Sequence, residues 1–213
     1  MKYLDLDSWS RKEHFHFFNT YDEPFWGVVV DLECTKAFNY CKENKVSFFL
    51  CYLYCSVRAA NDIIPFRYRI VDKEKVKIVD RIDASAVINR EDGSFGFSHI
   101  DFSPDWQQWL NNATTEIEKV RNSTKLFPDT HHDGCIHYSS LPWLKFRSLS
   151  HARKFNIGDS VPKISFGRIF KEKDECYLPV SIHVHHSLVD GKDVGDYVTK
   201  FEEYLAQIAE VIQ

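Results

Sequence analysis

Glycine, proline and methionine are scarce in this chain. The 213 residues include 8 Gly, 7 Pro and one Met, and no Pro-rich, Gly-rich or Ser-rich linker interrupts them. Internal repeats and low-complexity segments are also missing, which excludes a repeat protein. Hydrophobic residues make up 44% and aromatic residues 15% of the chain, enough to fill a substantial core. We therefore expect a single domain over residues 1–213.

Long runs of one charge and long apolar runs are missing too. Lys and Arg number 27, Asp and Glu number 31, and the formal net charge is −4, with no basic run to follow a phosphate backbone. The longest apolar stretch, FFLCYLYC from Phe48, is much shorter than the roughly 20 residues of a membrane-spanning helix. The N-terminal residues carry acid where a signal peptide needs an apolar segment. We expect neither a nucleic acid nor a membrane as a partner.

Paired cysteine spacing is the last notable absence. None of the 6 cysteines forms a C-x-x-C pair, and most lie among apolar neighbours. This distribution predicts buried free thiols in a reducing compartment, because a disulfide framework or a zinc site would need paired spacings. We therefore expect a cytoplasmic protein.

Hydrophobic periodicity predicts both strands and helices. WGVVVDLE, residues 26–33, has the composition of a strand, whereas the apolar run after Ser47 predicts a central helix with Ser47 as its N-cap. FRYRIV and KVKIVD alternate apolar with basic residues and predict an antiparallel hairpin joined by DKEK. Ser103 and Pro104 predict the start of an amphipathic helix that ends near Asn122. The resulting order indicates an α/β or α+β fold with a mixed sheet.

The C-terminal part carries a final helix and, before it, the most unusual motif. The helix is predicted by an apolar stripe at Val194, Val198, Phe201, Leu205 and Ile208. The motif is SIHVHHSLVDG, in which Val180, Ile182 and Val184 alternate with Ser181, His183 and His185. This alternation predicts a strand with His186 at its end, on the apolar face.

His186 is the histidine best placed for chemistry. A histidine held at a strand end, before a turn that contains Gly191 and then a helix, can keep one ring nitrogen free. Asp190 is expected to stabilise the turn. For His183 and His185, on the other face, we expect a structural or exposed position.

Two other interpretations of the motif remain open from the residues alone. A single histidine on an apolar face is commonly a satisfied core residue. A metal site would need His183 and His185 as two ligands, completed by Asp190 or by residues 131–133. Neither a cysteine pair nor an H-E-x-x-H helix supports the metal, and the G-x-S-x-G, P-loop and G-x-G-x-x-G patterns are absent.

Four segments in the same order resemble the trimeric, acetyl-CoA-dependent chloramphenicol acetyltransferase family. HHSLVDG at residues 185–191 is similar to the HHxxxDG signature of that family. WSRKEHFHFF at residues 9–18 resembles W-x-R-x-E-H-F-x-F-Y, and STKLFP at residues 123–128 resembles D-T-K-L-F-P. HYSSLPWLKF at residues 137–146 is similar to N-I-S-A-L-P-W-x-x-F. The resemblance extends over nearly the whole chain.

The resemblance implies a fold and a mechanism. The fold is a two-layer sandwich with a mixed sheet and helices on one face, the CoA-dependent acyltransferase fold, assembled as a homotrimer with active sites between subunits. His186 is implied as general base, removing the proton of an acceptor hydroxyl, and Ser139 as donor to the oxyanion. Asp190 and Arg11 are implied to form a buried salt bridge that shapes the histidine turn. Acetyl-CoA is a co-substrate, and neither a metal nor a permanently bound cofactor is implied.

Departures from the family pattern concentrate on the acceptor side. A tyrosine of the family corresponds to Phe18, which keeps the ring and loses a hydroxyl, and a threonine that orders a water corresponds to Ser165. Phe25 and Trp26 replace smaller residues near the pocket wall, and the segment before them is one residue longer. We expect Phe18, Phe25 and Ser165 to contact the acceptor, which is chloramphenicol or another hydroxylated compound.

Three competing functions follow. One is a CoA-dependent O-acetyltransferase with a different acceptor. Another is the acyltransferase core of the 2-oxo acid dehydrogenase complexes, disfavoured because this chain has no room for lipoyl domains and has His185 and Ser187 where that family has D-H-R. The third is a non-catalytic trimeric protein that binds a hydrophobic ligand, which would have no reason to keep both a base and an oxyanion donor.

Overall fold

Residues 2–128, 133–153 and 158–212 of the chain are described by the computed structural model. The strands are β1 Lys2–Tyr3, β2 Phe25–Glu33, β3 Tyr68–Val71, β4 Lys75–Ile78, β5 Asp83–Asn89, β6 Phe95–Phe97, β7 Cys135–Ser140, β8 Lys163–Phe166, β9 Phe170–Glu172 and β10 Glu175–His185. The helices are α1 Lys12–Phe18, α2 Thr35–Asn44, α3 Phe48–Asp62, α4 Trp106–Arg121, α5 Gly191–Ala206 and α6 Ile208–Val211, with a short 3₁₀ helix at Ile64–Arg67.

The main sheet is mixed. In the described part of the chain it has seven strands in the order β2, β10, β8, β7, β5 and β6, with β9 paired to β10. Strands β5, β7 and β8 run parallel to one another, whereas β2, β6, β8 and β9 pair antiparallel with their neighbours β10 or β5. A separate three-stranded sheet contains β1, β4 and β3.

One face of the main sheet is apolar and carries the helices. Val180, Ile182 and Val184 on β10 alternate toward this face and are fully buried, as are Ile164 and Phe166 on β8. Helices α2, α3, α4 and α5 all contact strands of the main sheet. This arrangement confirms the expected mixed sheet with helices packed on one face.

The opposite face of the sheet carries two rows of polar side chains. Strand pairing aligns a serine row of Ser139, Ser165 and Ser181. It also aligns a basic row of His137, Lys163 and His183. The two rows lie about 7 Å apart along the strands. Chain following β7 covers part of this face, since the ring centroid of His151 lies 4.9 Å from that of His183.

Most element predictions are confirmed. Ser47 is the N-cap of α3, and its side chain accepts a hydrogen bond from the Leu50 N–H. Strands β3 and β4 form the predicted hairpin, although Phe66 and Arg67 belong to the 3₁₀ helix before it. All six cysteines are buried and free. Among the described helices, none has the length and apolarity to cross a membrane.

One helix N-cap prediction was wrong, and one helix ends earlier than predicted. The N-cap of α4 is Asp105, whose carboxylate accepts from the Gln108 N–H, and the Ser103 hydroxyl instead accepts from the Asp105 N–H. Asp is as good an N-cap as Ser, so the pattern alone did not discriminate between the two. In the last helix Val198 packs half-buried against the core as expected, with Tyr197 fully buried beside it, and the buried Ile208 lies beyond the end of α5.

Gly27 on β2 gives a first prediction. A Cβ atom at this position would lie 2.5 Å from the Cδ2 atom of His183, its direct partner on β10. We expect Gly27→Ala to lower the free energy of unfolding by about 1–3 kcal/mol, because the imidazole must move within a packed sheet. Urea unfolding followed by circular dichroism measures the change.

The control for this substitution is Gly195→Ala. Gly195 is exposed on α5 and a Cβ there would meet no atom within 4 Å. Alanine is favoured over glycine inside a helix by about 0.5–1 kcal/mol, so this variant should be more stable than the native protein. Equal stability of Gly27→Ala and the native protein would contradict the close approach of His183.

Candidate active site

His186 lies one residue beyond the end of β10, next to the start of β2. The pairing of β10 with β2 ends at His185 opposite Phe25, and the His186 N–H then donates to the Pro24 carbonyl at 2.9 Å. The chain turns sharply there, because the His185 carbonyl accepts from both the Leu188 and Val189 N–H groups. The strand therefore carries His186 to the edge of the sheet and the turn holds it there.

Two aromatic rings hold the imidazole of His186. The Phe18 ring stacks on it with centroids 3.9 Å apart and planes 10° apart. The Trp26 ring lies 5.4 Å away at 40°. The Nδ1 atom is buried and has no hydrogen-bond partner within the described residues, and the residue as a whole is half-buried. The predicted acceptor-side residue Phe18 is thus in direct contact with the predicted base.

Arg11 binds the turn that contains His186. Its Nη2 donates to the His186 carbonyl at 3.4 Å and its Nη1 to the Leu188 carbonyl at 3.3 Å. The Trp26 Nε1 donates to the Val189 carbonyl at 3.1 Å. Three carbonyl groups of this short turn are therefore held by side chains from distant parts of the chain. We call Arg11 and Trp26 the turn clamp.

The expected buried pair of Arg11 with Asp190 needs a correction. Arg11 Nη1 lies 3.4 Å from Asp190 but 2.8 Å from Asp193, and 39% of the Asp190 side chain is exposed against 20% for Asp193. Asp190 is held at the surface because it is the N-cap of α5, accepting from the Lys192 and Asp193 N–H groups. Asp193 is therefore the main partner of Arg11.

Asp193 was missed by the sequence interpretation, although a signal for it exists. Its carboxylate accepts from the Asp190 N–H at 2.9 Å, which completes a capping box at the start of α5. An acidic residue three positions after an N-cap is the sequence mark of such a box. The pattern D-x-x-D would have placed Asp193 beside the turn, but its pairing with Arg11 depends on the tertiary fold.

The two carboxyl groups differ in their electrostatics. Burial is the main influence on Asp193 and raises its pKa, in spite of the hydrogen bond with Arg11. Burial acts in the same direction on Asp190, but the Asp193 N–H and the charge of Arg11 outweigh it and lower the pKa of Asp190. Asp190 therefore remains ionised at the helix N-terminus, where a negative charge is favourable.

His183 and His185 are buried rather than exposed. Only 8% of His183 and 4% of His185 is accessible to solvent. Burial lowers the pKa of His185 to about 4, so this imidazole is neutral near pH 7. Its Nδ1 accepts from the Ser187 N–H, and the His183 Nδ1 lies 3.1 Å from the Ser181 hydroxyl. Both histidines are therefore buried and hydrogen-bonded within the polar sheet face.

The metal alternative finds no support at these histidines. Among the described residues, potential metal-ligand atoms converge at Asp83, His99 and Asp101. This group lies at β5 and after β6, three strands away from β10. Arg81 already pairs with both of these carboxylates. His131 and His132, named as further candidate ligands, lie outside the described residues.

Ser139 and His186 are far apart in one chain. Ser139 on β7 pairs with Ser165 on β8, which pairs with Ser181 on β10. Ser139 and Ser181 are separated by two strand spacings, and His185 lies four residues further along β10. The two displacements together put Ser139 about 16 Å from His185. A single subunit therefore does not bring the predicted base and the predicted oxyanion donor together.

A cavity of about 430 Å³ opens at Ser139. Its apolar wall includes Phe95, Phe97 and Trp143, and its polar wall includes His137, His151 and Lys163. Ser165 lies next to Ser139 but is fully buried, and its hydroxyl has no partner within the part of the chain that is described. Ser139 itself is half-buried.

Phe25 lies on the same sheet face but is covered. Arg153 and Lys163 lie over its ring at 4.7 and 4.6 Å, and His185 meets it edge-on at 5.4 Å. The predicted acceptor-side residues thus fall into two groups. Phe18 contacts His186, and Ser165 lies beside Ser139. Phe25 belongs to neither group, since it lies between them on the sheet face.

Comparison with known proteins identifies the family. A family model described as chloramphenicol acetyltransferase matches residues 1–202. The chain belongs to the chloramphenicol acetyltransferase family. This membership confirms the resemblance of the four sequence segments, and it makes the chain an acyltransferase.

Individual relatives agree with the family over nearly their full length. Chloramphenicol acetyltransferase of Bacillus pumilus is 29% identical over 205 residues, covering 96% of this chain and 91% of that protein. Chloramphenicol acetyltransferase 3 of Escherichia coli is 26% identical and is covered over 94% of both chains. A solved chloramphenicol acetyltransferase structure superposes with a TM-score of 0.88 at 28% identity, covering 96% of this chain and 99% of that one.

The same fold occurs in more distant acyltransferases. A probable dihydrolipoamide acetyltransferase from Listeria monocytogenes superposes with a TM-score of 0.65 at 14% identity, covering 93% of this chain and 92% of that one. At this identity the likeness concerns the fold alone. The expected CoA-dependent acyltransferase fold is confirmed.

The Arg11 contacts generate the second prediction. We expect Asp193→Asn to lower the free energy of unfolding by about 1–3 kcal/mol, because Arg11 loses its closest charged partner in a half-buried site. Asp190→Asn should lower the free energy of unfolding by less than about 1 kcal/mol, because Asn caps helices as well as Asp and the Asp190 side chain is partly exposed. Urea titrations of both variants at one protein concentration compare the two. A larger loss for Asp190→Asn would show that Asp190 is the main partner after all.

Proposed function

We propose that the protein is a chloramphenicol O-acetyltransferase, which transfers acetyl from acetyl-CoA to a hydroxyl of the antibiotic. The observation that carries the proposal is the immobilised His186, whose ring stacks on Phe18 and whose turn is held by Arg11 and Trp26. A general base needs this rigidity, because proton transfer requires hydrogen-bond distance to the reacting hydroxyl. Family membership supplies the reaction class.

The proposed reaction is direct transfer within a ternary complex. His186 removes the hydroxyl proton of the acceptor while that oxygen attacks the thioester carbonyl carbon. Because Nδ1 is buried, Nε2 is the nitrogen that would receive the proton. The tetrahedral intermediate collapses by breaking the carbon–sulfur bond, and the imidazolium returns its proton to the departing CoA thiolate. The products are the acetyl ester and free CoA, so no oxidant or further reactant is needed.

Ser139 is proposed to stabilise the oxyanion of the intermediate. A hydroxyl donor aimed at the developing charge is worth about 10²–10³-fold in rate in comparable sites. Ser139 can serve His186 only across a subunit boundary, because Ser139 lies about 16 Å from His185, the residue before His186, in one chain. We therefore propose a homotrimer, with the base and the oxyanion donor of each site on different subunits.

The proposed acceptor site is the cavity at Ser139. Its aromatic wall suits an aryl group, and the proposal requires a neighbouring subunit to place His186 at its opening. Phe18 would enter the site with that neighbouring His186, whereas Ser165 is fully buried behind the cavity lining and would not touch the acceptor directly. Buried free cysteines fit a reducing compartment, so we also propose that the reaction takes place in the cytoplasm.

The third prediction tests the base. We expect His186→Ala to lower the rate of chloramphenicol-dependent CoA release by about 10²–10⁴-fold, since general-base assistance is lost. CoA release is measured with a thiol reagent at matched folded concentration. His14→Ala, at an exposed position on α1, is the matched control and should keep the native rate. No release by the native protein would overturn the chloramphenicol assignment, and other hydroxylated acceptors would then be compared.

The fourth prediction tests the shared site. His186→Ala and Ser139→Ala subunits are unfolded together at equal amounts and refolded. If each site takes His186 and Ser139 from different subunits, about a quarter of the sites in randomly mixed trimers combine two native residues. Activity should therefore rise well above that of either variant refolded alone. An unchanged low activity in trimers that mass spectrometry shows to be mixed would place both residues of a site on one subunit.

A further inference from the structure

The polar wall of the Ser139 cavity is formed by the basic row and the segment that covers it. His137 and Lys163 line the cavity directly, together with His151 from the covering segment. His151 meets the third member of the row, His183, with the two rings nearly perpendicular and their centroids 4.9 Å apart. The cavity lining thus combines hydrogen-bonding groups with aromatic side chains.

His151 has an unused hydrogen-bonding atom in this wall. Its Nε2 is buried, yet it has no partner within residues 2–128, 133–153 and 158–212. A buried polar atom without a partner costs free energy, so proteins rarely keep one unless a water or a ligand satisfies it. His151 lines the cavity, so a small rotation of its side chain would bring Nε2 to an acceptor bound there.

The electrostatics favour a neutral acceptor over an anionic one. Lys163 is paired with Asp159, and Arg153 is paired with Glu23, so the two cations near His151 are already balanced. Burial, followed by the charges of His183, Lys163 and Arg153, lowers the pKa of His151 to about 4. The imidazole is therefore neutral near pH 7 and can offer a hydrogen bond but no net charge.

We propose that His151 determines acceptor specificity, by hydrogen bonding through Nε2 to a second polar group of a neutral, partly apolar alcohol. The acetylated hydroxyl is directed to Ser139, and the apolar body lies against Phe95, Phe97 and Trp143. The second polar group lies toward the basic row, about 7 Å along the strands from the serine row. This inference rests on the proposed function, because it takes the Ser139 cavity as the acceptor site.

A matched pair of alcohols tests the proposal by binding alone. The probes are 4-(2-hydroxyethyl)benzamide and 2-(4-methylphenyl)ethanol, which share the alcohol and the ring and differ in the polar group opposite. Calorimetric titration of the trimer should show the amide binding about tenfold more tightly. His151→Leu should abolish or reverse this preference, and His151→Gln, which keeps a hydrogen-bonding side chain, should retain part of it. His14→Leu makes the same change at an exposed position and should leave the preference native.

The outcomes separate this inference from the proposed function. An equal preference in the native protein and in His151→Leu, or binding of neither alcohol, overturns the role of His151. Loss of the preference in both His151→Leu and His151→Gln, with native stability in both, also overturns it, because the effect would then be one of packing. A native amide preference without acetyl transfer to chloramphenicol supports the role of His151 and refutes the chloramphenicol assignment alone. Acetyl transfer to chloramphenicol without an amide preference supports the chloramphenicol assignment and refutes the role of His151.

Discussion

The antiparallel pairing of β2 with β10 is the interaction on which the site depends. Nine residue pairs join the two strands, from Tyr177 opposite Glu33 to His185 opposite Phe25. Because side chains alternate with a period of two, a slip by one residue would turn the buried histidines toward the helices and the valines toward the polar face. The apolar residues Val180, Ile182 and Val184 oppose such a slip.

The register of this pairing also determines what lies around His186. It puts Trp26 opposite Val184, from where the indole reaches both the imidazole and the Val189 carbonyl. It puts Gly27 opposite His183, where only a residue without a side chain leaves room for the imidazole. The pairing of β2 with β10 thus explains the glycine at position 27, the contact of Trp26 with His186 and the contribution of Trp26 to the turn clamp.

The two faces of the main sheet differ in role, since one packs the hydrophobic core and the other carries the polar side chains of the proposed site. The apolar face is buried against α2 to α5 and makes the core. The polar face carries the serine and basic rows, whose six members are all polar and of which Ser165, Ser181, Lys163 and His183 are buried. Buried polar groups are costly unless hydrogen-bonded, so a sheet keeps such a face where partners or ligands satisfy it. Fold similarity alone does not define the acceptor, which in our proposal depends on the side chains of this face.

Local periodicity was sufficient for much of this protein. The long alternating strand before His186, the apolar helix after Ser47, the amphipathic C-terminal helix and the ordered family segments all follow from residues near one another in the chain. The cap of α4 was placed two residues too early, because Ser103 and Asp105 are both good caps and only the backbone geometry of Asp105 distinguishes them. Tyr197 is more deeply buried than Val198 because its ring stacks on that of Phe66. Such a long-range contact cannot be read from the periodicity of the helix.

The tertiary structure decided what the side chains do at the site. Arg11 and Asp193 are 182 residues apart, and whether Arg11 prefers Asp193 or Asp190 depends on how α1 and α5 meet. The burial of His183 and His185 follows from the chain that covers the polar face, and the distance between Ser139 and His186 follows from the strand order. The sequence by itself determined several long elements, the family and the histidine that we propose as base, because these depend on local pattern. Long-range strand pairing and packing alone determine which side chains meet, so the partners of that histidine required the fold.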